Sequence, residues 1–246
     1  MSHQFKETPE NAITQSGIAR VIPCKELEVG DPIKWLSLAL RDALRTPVLT
    51  AIYGVIFAII PWFIMYLVEM TGWHLVILPA IVCFMLLGPF LAAGLYDISW
   101  ELEKGHKPTF MHSLRAMRRN AVNEWGFGIL LMVMMIFWLR VASLIHALYP
   151  PYSENTLETL LPFLFLGSIV GAVFSIGMLF ITAFTQPILM ERKVDLATAV
   201  LTSVNAVWVN KVPMLIWGAI IFSAVAIGYI TGFVGFIVLM LSLIHI

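Results

Sequence analysis

Long apolar runs alternate with short polar segments over most of this sequence. Four of these runs hold more than twenty residues each: Val48 to Glu69, Trp73 to Tyr96, Trp125 to Tyr149 and Leu160 to Phe184. A helix of about 20 apolar residues, rising about 1.5 Å per residue, crosses a hydrocarbon core roughly 30 Å thick. The pattern therefore predicts four membrane-spanning helices in this part of the chain.

The last apolar run is too long for one span. It starts at Pro213 and continues for more than thirty residues, which as a single helix is about 50 Å long. Small and turn-forming residues interrupt it at Gly228, Tyr229, Thr231, Gly232 and Gly235. We predict a turn there and hence six spans; five spans and a tail are the alternative.

The spacing of the runs groups the spans into hairpins. Met70, Thr71 and Gly72 alone separate the first two spans, and a ten-residue loop from Pro150 to Thr159 separates the third from the fourth. Only 12% of the residues are charged, whereas soluble domains have about 25%. We predict an all-α membrane protein with six transmembrane helices in three hairpins.

A short motif recurs before the odd-numbered spans. It reads A-L-R-D-A-L-R-T from Ala39 to Thr46, S-L-R-A-M-R-R-N from Ser113 to Asn120 and S-V-N-A-V-W-V-N from Ser203 to Asn210. Each copy ends in a small polar residue that can stop a helix. Apolar residues recur at helical spacing, as in Trp35, Leu36, Leu40 and Leu44, or Phe110, Leu114 and Met117. These segments are predicted to be amphipathic helices in the headgroup layer.

The distribution of basic residues predicts orientation. All lysines and arginines except Arg140 lie before span one, between spans two and three, or between spans four and five. Because such loops stay in the cytoplasm, we expect the N-terminus and the two longer loops to be cytoplasmic. The expected partners of the protein are anionic lipid headgroups on that side and other membrane proteins. The net charge of zero suggests no nucleic-acid partner.

The polar start of the chain lacks the basic-then-apolar pattern of a cleaved signal peptide. We expect residues 1–30 to form a flexible cytoplasmic tail and residues 31–240 to form the polytopic membrane domain. Cys24 lies in the tail and Cys83 in a span. Their separation argues against a disulfide framework and against a metal site.

Arg140 is the strongest single functional signal. It lies about 4 to 5 Å outward of Phe137, the midpoint of a span from Trp125 to Tyr149. A charge at that depth costs at least ~2.5 kcal/mol on insertion scales. We expect Arg140 to snorkel outward and pair with Glu69 or a headgroup; contact with an anionic ligand or substrate is the alternative.

A second candidate lies at the cytoplasmic end of span two. It comprises Gly88, Pro89, Gly94 and Asp97, a bend that leads into charged sequence. Broken helices form binding sites in transporters, although proline is also common in ordinary membrane helices. The bend and Arg140 together are the basis of a transporter or channel hypothesis.

The sequence contains no recognisable catalytic or cofactor-binding motif. The serines in the spans have no His or Lys at an equivalent depth, and no phosphate-binding loop is present. No two histidines have the spacing of haem or metal ligands; His106 and His112 are expected in a solvated loop, with weak metal contact as the alternative. We therefore expect no enzyme activity, no cofactor and no metal.

Several segments together resemble a known family. They are W-L-S-L-A-L-R-D (Trp35 to Asp42), G-P-F-L-A-A-G-L-Y-D-I-S (Gly88 to Ser99), F-W-L-R (Phe137 to Arg140) and L-T-S-V-N-A-V (Leu201 to Val207). The chain resembles the bacterial integral membrane family called domain of unknown function 2189, from about Ile22 to Met240. Its members are sometimes labelled cytochrome c oxidase subunits, but the family has no established activity. The resemblance therefore implies the fold and a location in the bacterial inner membrane more than a mechanism.

The resemblance also bears on the end of the chain. Similar proteins continue past the sixth span into a polar cytoplasmic tail, whereas this sequence stops at L-S-L-I-H-I. The same six residues result from translating a transposon-end adapter used in sequencing libraries. We expect residues 241–246 to be non-native. As a whole, the sequence favours a non-enzymatic membrane protein that binds lipids or assists the assembly of membrane complexes.

Overall fold

The computed structural model describes residues 21–71, 91–116, 120–147, 157–192 and 194–231. The described residues form helices and connecting segments, with no strand among them. In chain order the helices are α1 (Asp31–Arg45), α2 (Pro47–Thr71), α3 (residues 91–103), α4 (Phe110–Ala116), α5 (Ala121–Ala147), α6 (Leu157–Thr182), α7 (Thr185–Glu191), α8 (Leu196–Val209) and α9 (Lys211–Ile230). The all-helical prediction is therefore confirmed for these ranges.

Four helical stretches of the described chain are long and apolar enough to cross a membrane. They are Pro47–Met70, Ala121–Ala147, Leu161–Glu191 and Lys211–Gly228, at the positions of predicted spans one, three, four and five. Most of predicted span two, and predicted span six, lie outside the described residues. The total of six spans therefore stays a prediction.

Polar residues lie at the junctions between the short amphipathic helices and the long helices that follow them. They are Thr46 before α2, Asn120 before α5 and Asn210 before α9. The carbonyl of each accepts a hydrogen bond from the N–H four residues later, at 2.9, 3.1 and 3.0 Å for Thr50, Glu124 and Met214. Each residue thus begins the following helix as its N-cap. The recurring motif therefore marks real helix boundaries, and we call α1, α4 and α8 the boundary helices.

The repeat extends into the long helices, which the sequence motif alone did not show. Seven residues before each junction lies a small buried residue: Ala39, Ser113 or Ser203. Seven residues after it lies a buried aromatic residue: Tyr53, Phe127 or Trp217. A glycine follows each aromatic residue: Gly54, Gly128 or Gly218. The chain therefore contains three equivalent units, each starting with a boundary helix.

Contacts between these units run in one direction. In unit one, Tyr53 of α2 packs against Phe110 of α4, with ring centroids 6.0 Å apart. In unit two, Phe127 of α5 packs with Ala199 of α8. In unit three, α9 packs against α1. Each long helix thus contacts the boundary helix of the next unit, and the third unit returns to the first.

The segment before α1 lies along α8. The Ile22 N–H donates to Thr202 Oγ1 at 3.1 Å. Asn210 forms two hydrogen bonds with the same segment. Its Nδ2 donates to the Lys25 carbonyl at 3.1 Å, and its Oδ1 accepts from the Leu27 N–H at 2.7 Å. Residues 21–28, assigned to the tail from sequence, are therefore bound to unit three. Residues 1–20 of the predicted tail lie outside the described residues.

Candidate functional site

A buried carboxylate and a half-exposed imidazole meet where α3 turns into α4. His112 Nδ1 donates to Asp97 Oδ2 at 2.7 Å. The side chain of Asp97 is 2% exposed and that of His112 is 46% exposed. Gly105 makes the intervening turn with a φ of 75°, a conformation that glycine adopts without a steric penalty. The turn therefore brings two residues fifteen positions apart into direct contact.

A second polar contact lies beside this pair. The fully buried Ser113 hydroxyl donates to the Gly94 carbonyl at 2.8 Å and also contacts the Tyr53 hydroxyl. Because the single hydroxyl hydrogen of Ser113 points at Gly94, the Tyr53 hydroxyl is the donor in the second bond. Ser113 thus joins α2, α3 and α4. Ser203 makes the equivalent contact in unit three, where it donates to the Phe180 carbonyl at 2.9 Å.

The electrostatics of the pair define its chemistry. A buried carboxylate is costly unless a donor or a positive charge compensates it, and His112 is the compensating group within the described residues. With Nδ1 donating to Asp97, the neutral imidazole has its lone pair on Nε2, which suits proton exchange. Asp97 Oδ1 is buried and has no hydrogen-bond partner among the described residues. The buried carboxylate therefore holds the imidazole ring in a fixed orientation and leaves Nε2 as the ring nitrogen available to a further group.

The structure thus places half of the predicted bend in this cluster. Gly94 supplies the carbonyl that Ser113 binds, and Asp97 supplies the carboxylate. Gly88 and Pro89 lie outside the described residues. His112, which sequence reasoning assigned to a solvated loop, is instead an integral part of the site. The residue that connects the site to α2, Tyr53, was not predicted.

Arg140 and Glu69 are both exposed, on α5 and α2. No ion pair joins them in the described part of the chain, where every Lys–acid or Arg–acid pair lies at a boundary helix or beside it. Arg140 lies seven residues before Ala147, the last described residue of α5, or about 10 Å along the helix. The predicted Glu69 pair stays a prediction.

Glu124 is a buried acid that the sequence analysis missed. Its side chain is fully buried in the first turn of α5. Neither carboxylate oxygen has a hydrogen-bond partner among the described residues. The repeat identifies its position. Glu124 lies four residues after Asn120, and Thr50 and Met214 lie at the equivalent positions of the other two units.

The outer face of α1 divides into two exposed stripes. The apolar stripe consists of Ile33, Leu40 and Leu44, which are 64%, 49% and 74% exposed. The basic stripe consists of Lys34, Arg41 and Arg45, all exposed. Trp35, grouped with Leu40 and Leu44 from the sequence pattern, instead packs inward against Trp217, so that part of the predicted apolar face is wrong.

Lysine–tryptophan pairs lie at the same boundary. Lys104 Nζ lies 4.6 Å from the ring centroid of Trp100, and Lys211 Nζ lies 4.0 Å from that of Trp208. Both distances suit a cation–π interaction. Tryptophan is enriched at membrane–water interfaces. One pair lies at the end of α3 and the other at the junction of α8 and α9.

Comparison with known proteins agrees with the resemblance. The chain matches no curated protein and no solved structure. The matched family segment includes Gly94, Asp97, His112 and Arg140 and ends at the last residue of α7. Over residues 77–191, the chain matches the model of the family described as predicted integral membrane protein (DUF2189), which confirms the family resemblance for this segment.

Proposed function

We propose that the protein is a non-enzymatic inner-membrane protein whose boundary helices bind anionic lipid headgroups at the cytoplasmic surface. The observation that supports this best is the pair of adjacent exposed stripes on α1. At about 100° per residue, the apolar stripe through Leu40 and the basic stripe through Arg41 are about a quarter turn apart. A helix lying in the headgroup layer needs this arrangement, with apolar side chains in the acyl region and basic ones among phosphates.

The third face of α1 is held by the protein itself. Ala39 and Asp42 are buried, and Trp35 makes an edge-to-face contact with Trp217. The helix therefore cannot rotate freely about its axis. Both stripes therefore face in a fixed direction. Because folding already orders the helix, lipid binding does not carry the entropy cost of ordering it.

The other boundary helices present similar groups. In α4, Met111 and Leu114 are exposed beside Arg115. In α8, Leu201 and Trp208 are exposed, and Trp208 lies under the ammonium group of Lys211. Each basic residue near an anionic surface contributes about 1 kcal/mol. Because several boundary helices lie on one surface, these small contributions to the free energy of lipid binding add together.

The proposed orientation follows from the same residues. The basic groups of α1, α4 and the start of α9 lie on the boundary-helix side, and basic segments remain cytoplasmic. The N-terminus is then cytoplasmic. A protein that holds anionic lipid at this surface is suited to support the assembly of other membrane complexes there.

Native mass spectrometry of protein released from nanodiscs tests the proposal. The nanodiscs contain equal amounts of phosphatidylglycerol and phosphatidylcholine, and the measurement is the ratio of the two lipids that remain bound. Arg41→Gln together with Arg45→Gln is expected to reduce the preference for phosphatidylglycerol by about 2 kcal/mol, or roughly thirtyfold.

The control is Lys25→Gln, which removes one exposed positive charge from the segment outside the boundary helices. It is expected to preserve most of the preference. An unchanged lipid ratio in the double variant contradicts the proposal. So does an equal loss in the control, because the effect then reflects net charge and not the α1 stripe.

Transport is the second candidate function, favoured by the buried Asp97 paired with His112 at the inner end of the bend. Ionisable groups at such places form proton and ion relays in transporters. Proton flux into protein-containing liposomes, abolished by Asp97→Asn and by Arg140→Ala, supports transport. Wild-type protein that conducts no more than empty liposomes supports the lipid-binding function.

A further inference from the structure

An apolar groove runs between α5 and α6. It has a volume of about 230 Å³. The residues that line it are all apolar or glycine: Met134, Phe137, Phe174, Gly177, Met178 and Ile181. Phe137 and Gly177 are exposed at its edges, so the groove opens on the surface of the described helices.

Aromatic stacking shapes one end of the groove. Phe174 stacks on Trp138 with ring centroids 5.0 Å apart and on Phe137 with centroids 6.3 Å apart. Further along, the missing side chain of Gly177 leaves space, since a Cβ built there meets no atom within 4 Å. The groove therefore persists because a glycine occupies a position that could hold a larger residue.

Arg140 lies just beyond the aromatic end. It is one turn after Phe137 on α5, and residues three apart lie on the same helix face. Both residues are exposed. Within the described chain, no acidic side chain forms an ion pair with Arg140.

The two helices run antiparallel beside the groove. His146 contacts Phe163, and Trp138 contacts Phe174, so the contacting residue numbers rise on one helix as they fall on the other. Ile181 is seven residues after Phe174, or about 10 Å along α6. The groove therefore leads away from Arg140 toward the boundary-helix side of the membrane.

We propose that Arg140 and this groove bind one phospholipid, with the phosphate at the guanidinium group and part of one acyl chain between Phe137, Phe174 and Ile181. The guanidinium group matches a phosphate in charge and in hydrogen-bond geometry. The apolar lining matches an acyl chain. The site deepens the proposed lipid-binding function and rests on it.

The exposed arginine beside the apolar groove favours a phospholipid over a protein partner. A phospholipid supplies a phosphate and an acyl chain in one molecule, whereas a partner helix would have to place an acidic side chain at membrane depth, which is costly. With the proposed orientation, the bound lipid belongs to the outer leaflet, on the opposite side from the α1 stripes.

The test counts phospholipid molecules retained by the purified protein in mild detergent, by native mass spectrometry. Wild type is expected to retain one phospholipid. Arg140→Gln removes the charge, and Gly177→Leu fills the groove where the structure has space. Each is expected to reduce lipid occupancy at least fivefold, whereas Arg140→Lys is expected to retain the lipid because the positive charge persists.

Gly167→Leu is the matched control. Gly167 is also on α6, also has no atom within 4 Å of a Cβ, and does not line the groove. It is expected to retain wild-type lipid occupancy and to elute on gel filtration like Gly177→Leu. Equal lipid loss in the two glycine variants overturns the proposal, as does wild-type lipid occupancy in either Arg140→Gln or Gly177→Leu.

The detergent and nanodisc measurements together separate this site from the proposed function of the boundary helices. Arg41→Gln with Arg45→Gln is expected to leave the retained lipid in place while reducing the preference for phosphatidylglycerol. If the Arg41→Gln with Arg45→Gln variant loses the preference for phosphatidylglycerol but Arg140→Gln keeps full lipid occupancy, the proposed function is supported and the proposed site is overturned. Release of a co-purified protein by Gly177→Leu, with no change in lipid, overturns the site as well.

Discussion

Trp35 and Trp217 make an edge-to-face contact, with ring centroids 5.6 Å apart and ring planes at 82°. One lies on α1 at the start of the described helices and the other on α9 at their end. Trp217 is completely buried and occupies the position of Tyr53 and Phe127 in the other units. This contact joins unit three to unit one and so completes the cycle of contacts between units.

Replacing Trp217 is expected to destabilise the protein strongly. Trp217→Ala leaves a large cavity, and such changes cost about 3 to 5 kcal/mol. The free energy of unfolding, measured by denaturant titration in mixed micelles, checks this. Trp208→Ala, on an exposed face of α8, is the control and is expected to cost much less. Equal losses in the two variants contradict the inferred contact between units.

The Trp35 contact itself is measured by a double-mutant cycle. The coupling between Trp35→Ala and Trp217→Ala is expected to be about 0.5 to 1.5 kcal/mol, the usual value of an aromatic pair beyond its buried area. A coupling energy of zero means that α1 and α9 do not pack in this way in the membrane.

Ser113 is expected to matter more than Tyr53 to the polar contact that they share. Ser113→Ala removes both hydrogen bonds and leaves the buried Tyr53 hydroxyl without an acceptor, whereas Tyr53→Phe leaves the Ser113–Gly94 bond intact. An unsatisfied buried polar group costs about 1 to 3 kcal/mol. The free energy of unfolding of the two single variants decides the order, and a larger loss in Tyr53→Phe contradicts it.

Stability in acid is expected to depend on Asp195. Its carboxylate accepts hydrogen bonds from the Thr198 hydroxyl at 2.7 Å and from the Thr198 N–H at 3.0 Å, which caps α8. The Thr198 hydroxyl is the main cause that lowers the pKa of Asp195 below its ordinary value of 3.8. A lowered folded-state pKa stabilises the protein above the unfolded pKa, and this contribution is lost as the pH falls through the folded pKa.

A pH series of unfolding measurements, from about pH 6 to below pH 4, tests this contribution. Asp195→Asn keeps a capping oxygen but removes the titration, so its stability is expected to fall less steeply below about pH 4. Some acid dependence remains, because Lys34 lowers the pKa of Asp31 by hydrogen bonding. Identical acid limbs for wild type and Asp195→Asn exclude a contribution from this cap.

Glu69→Gln decides whether the pair predicted from sequence exists. The described structure forms no ion pair between Glu69 and Arg140, so the change is expected to alter the free energy of unfolding by less than about 0.5 kcal/mol, as at other exposed sites. If Glu69→Gln lowers the free energy of unfolding by 1 kcal/mol or more, and this loss is absent in an Arg140→Gln background, the Glu69–Arg140 ion pair exists and stabilises the protein.

Much of the fold was predictable because it depends on local chemistry. The motif predicted where the long helices begin. Each copy ends in the residue that caps the following helix, namely Thr46, Asn120 or Asn210. The end of α9 at Ile230 falls within the predicted turn between Gly228 and Gly235. Both signals lie within a few residues of the boundary that they predict.

The candidate site was predictable only in part. Gly94 and Asp97 were identified as a bend, but their partners His112 and Ser113 lie fifteen and nineteen residues further along. Periodicity does not report such pairing. The burial of Glu124 was equally hidden, because an acid at the end of a span is usually in water.

The sequence by itself determined the class, the long helices and the boundary helices, because apolar runs and helix-stopping residues act over short distances. Only the tertiary structure decided that Trp35 turns inward to Trp217 while Leu40 and Leu44 stay exposed. Helical spacing shows which residues share a face, but the neighbouring unit decides whether that face meets protein or lipid. The groove beside Arg140 likewise exists only because α5 and α6 pack with Gly177 between larger side chains.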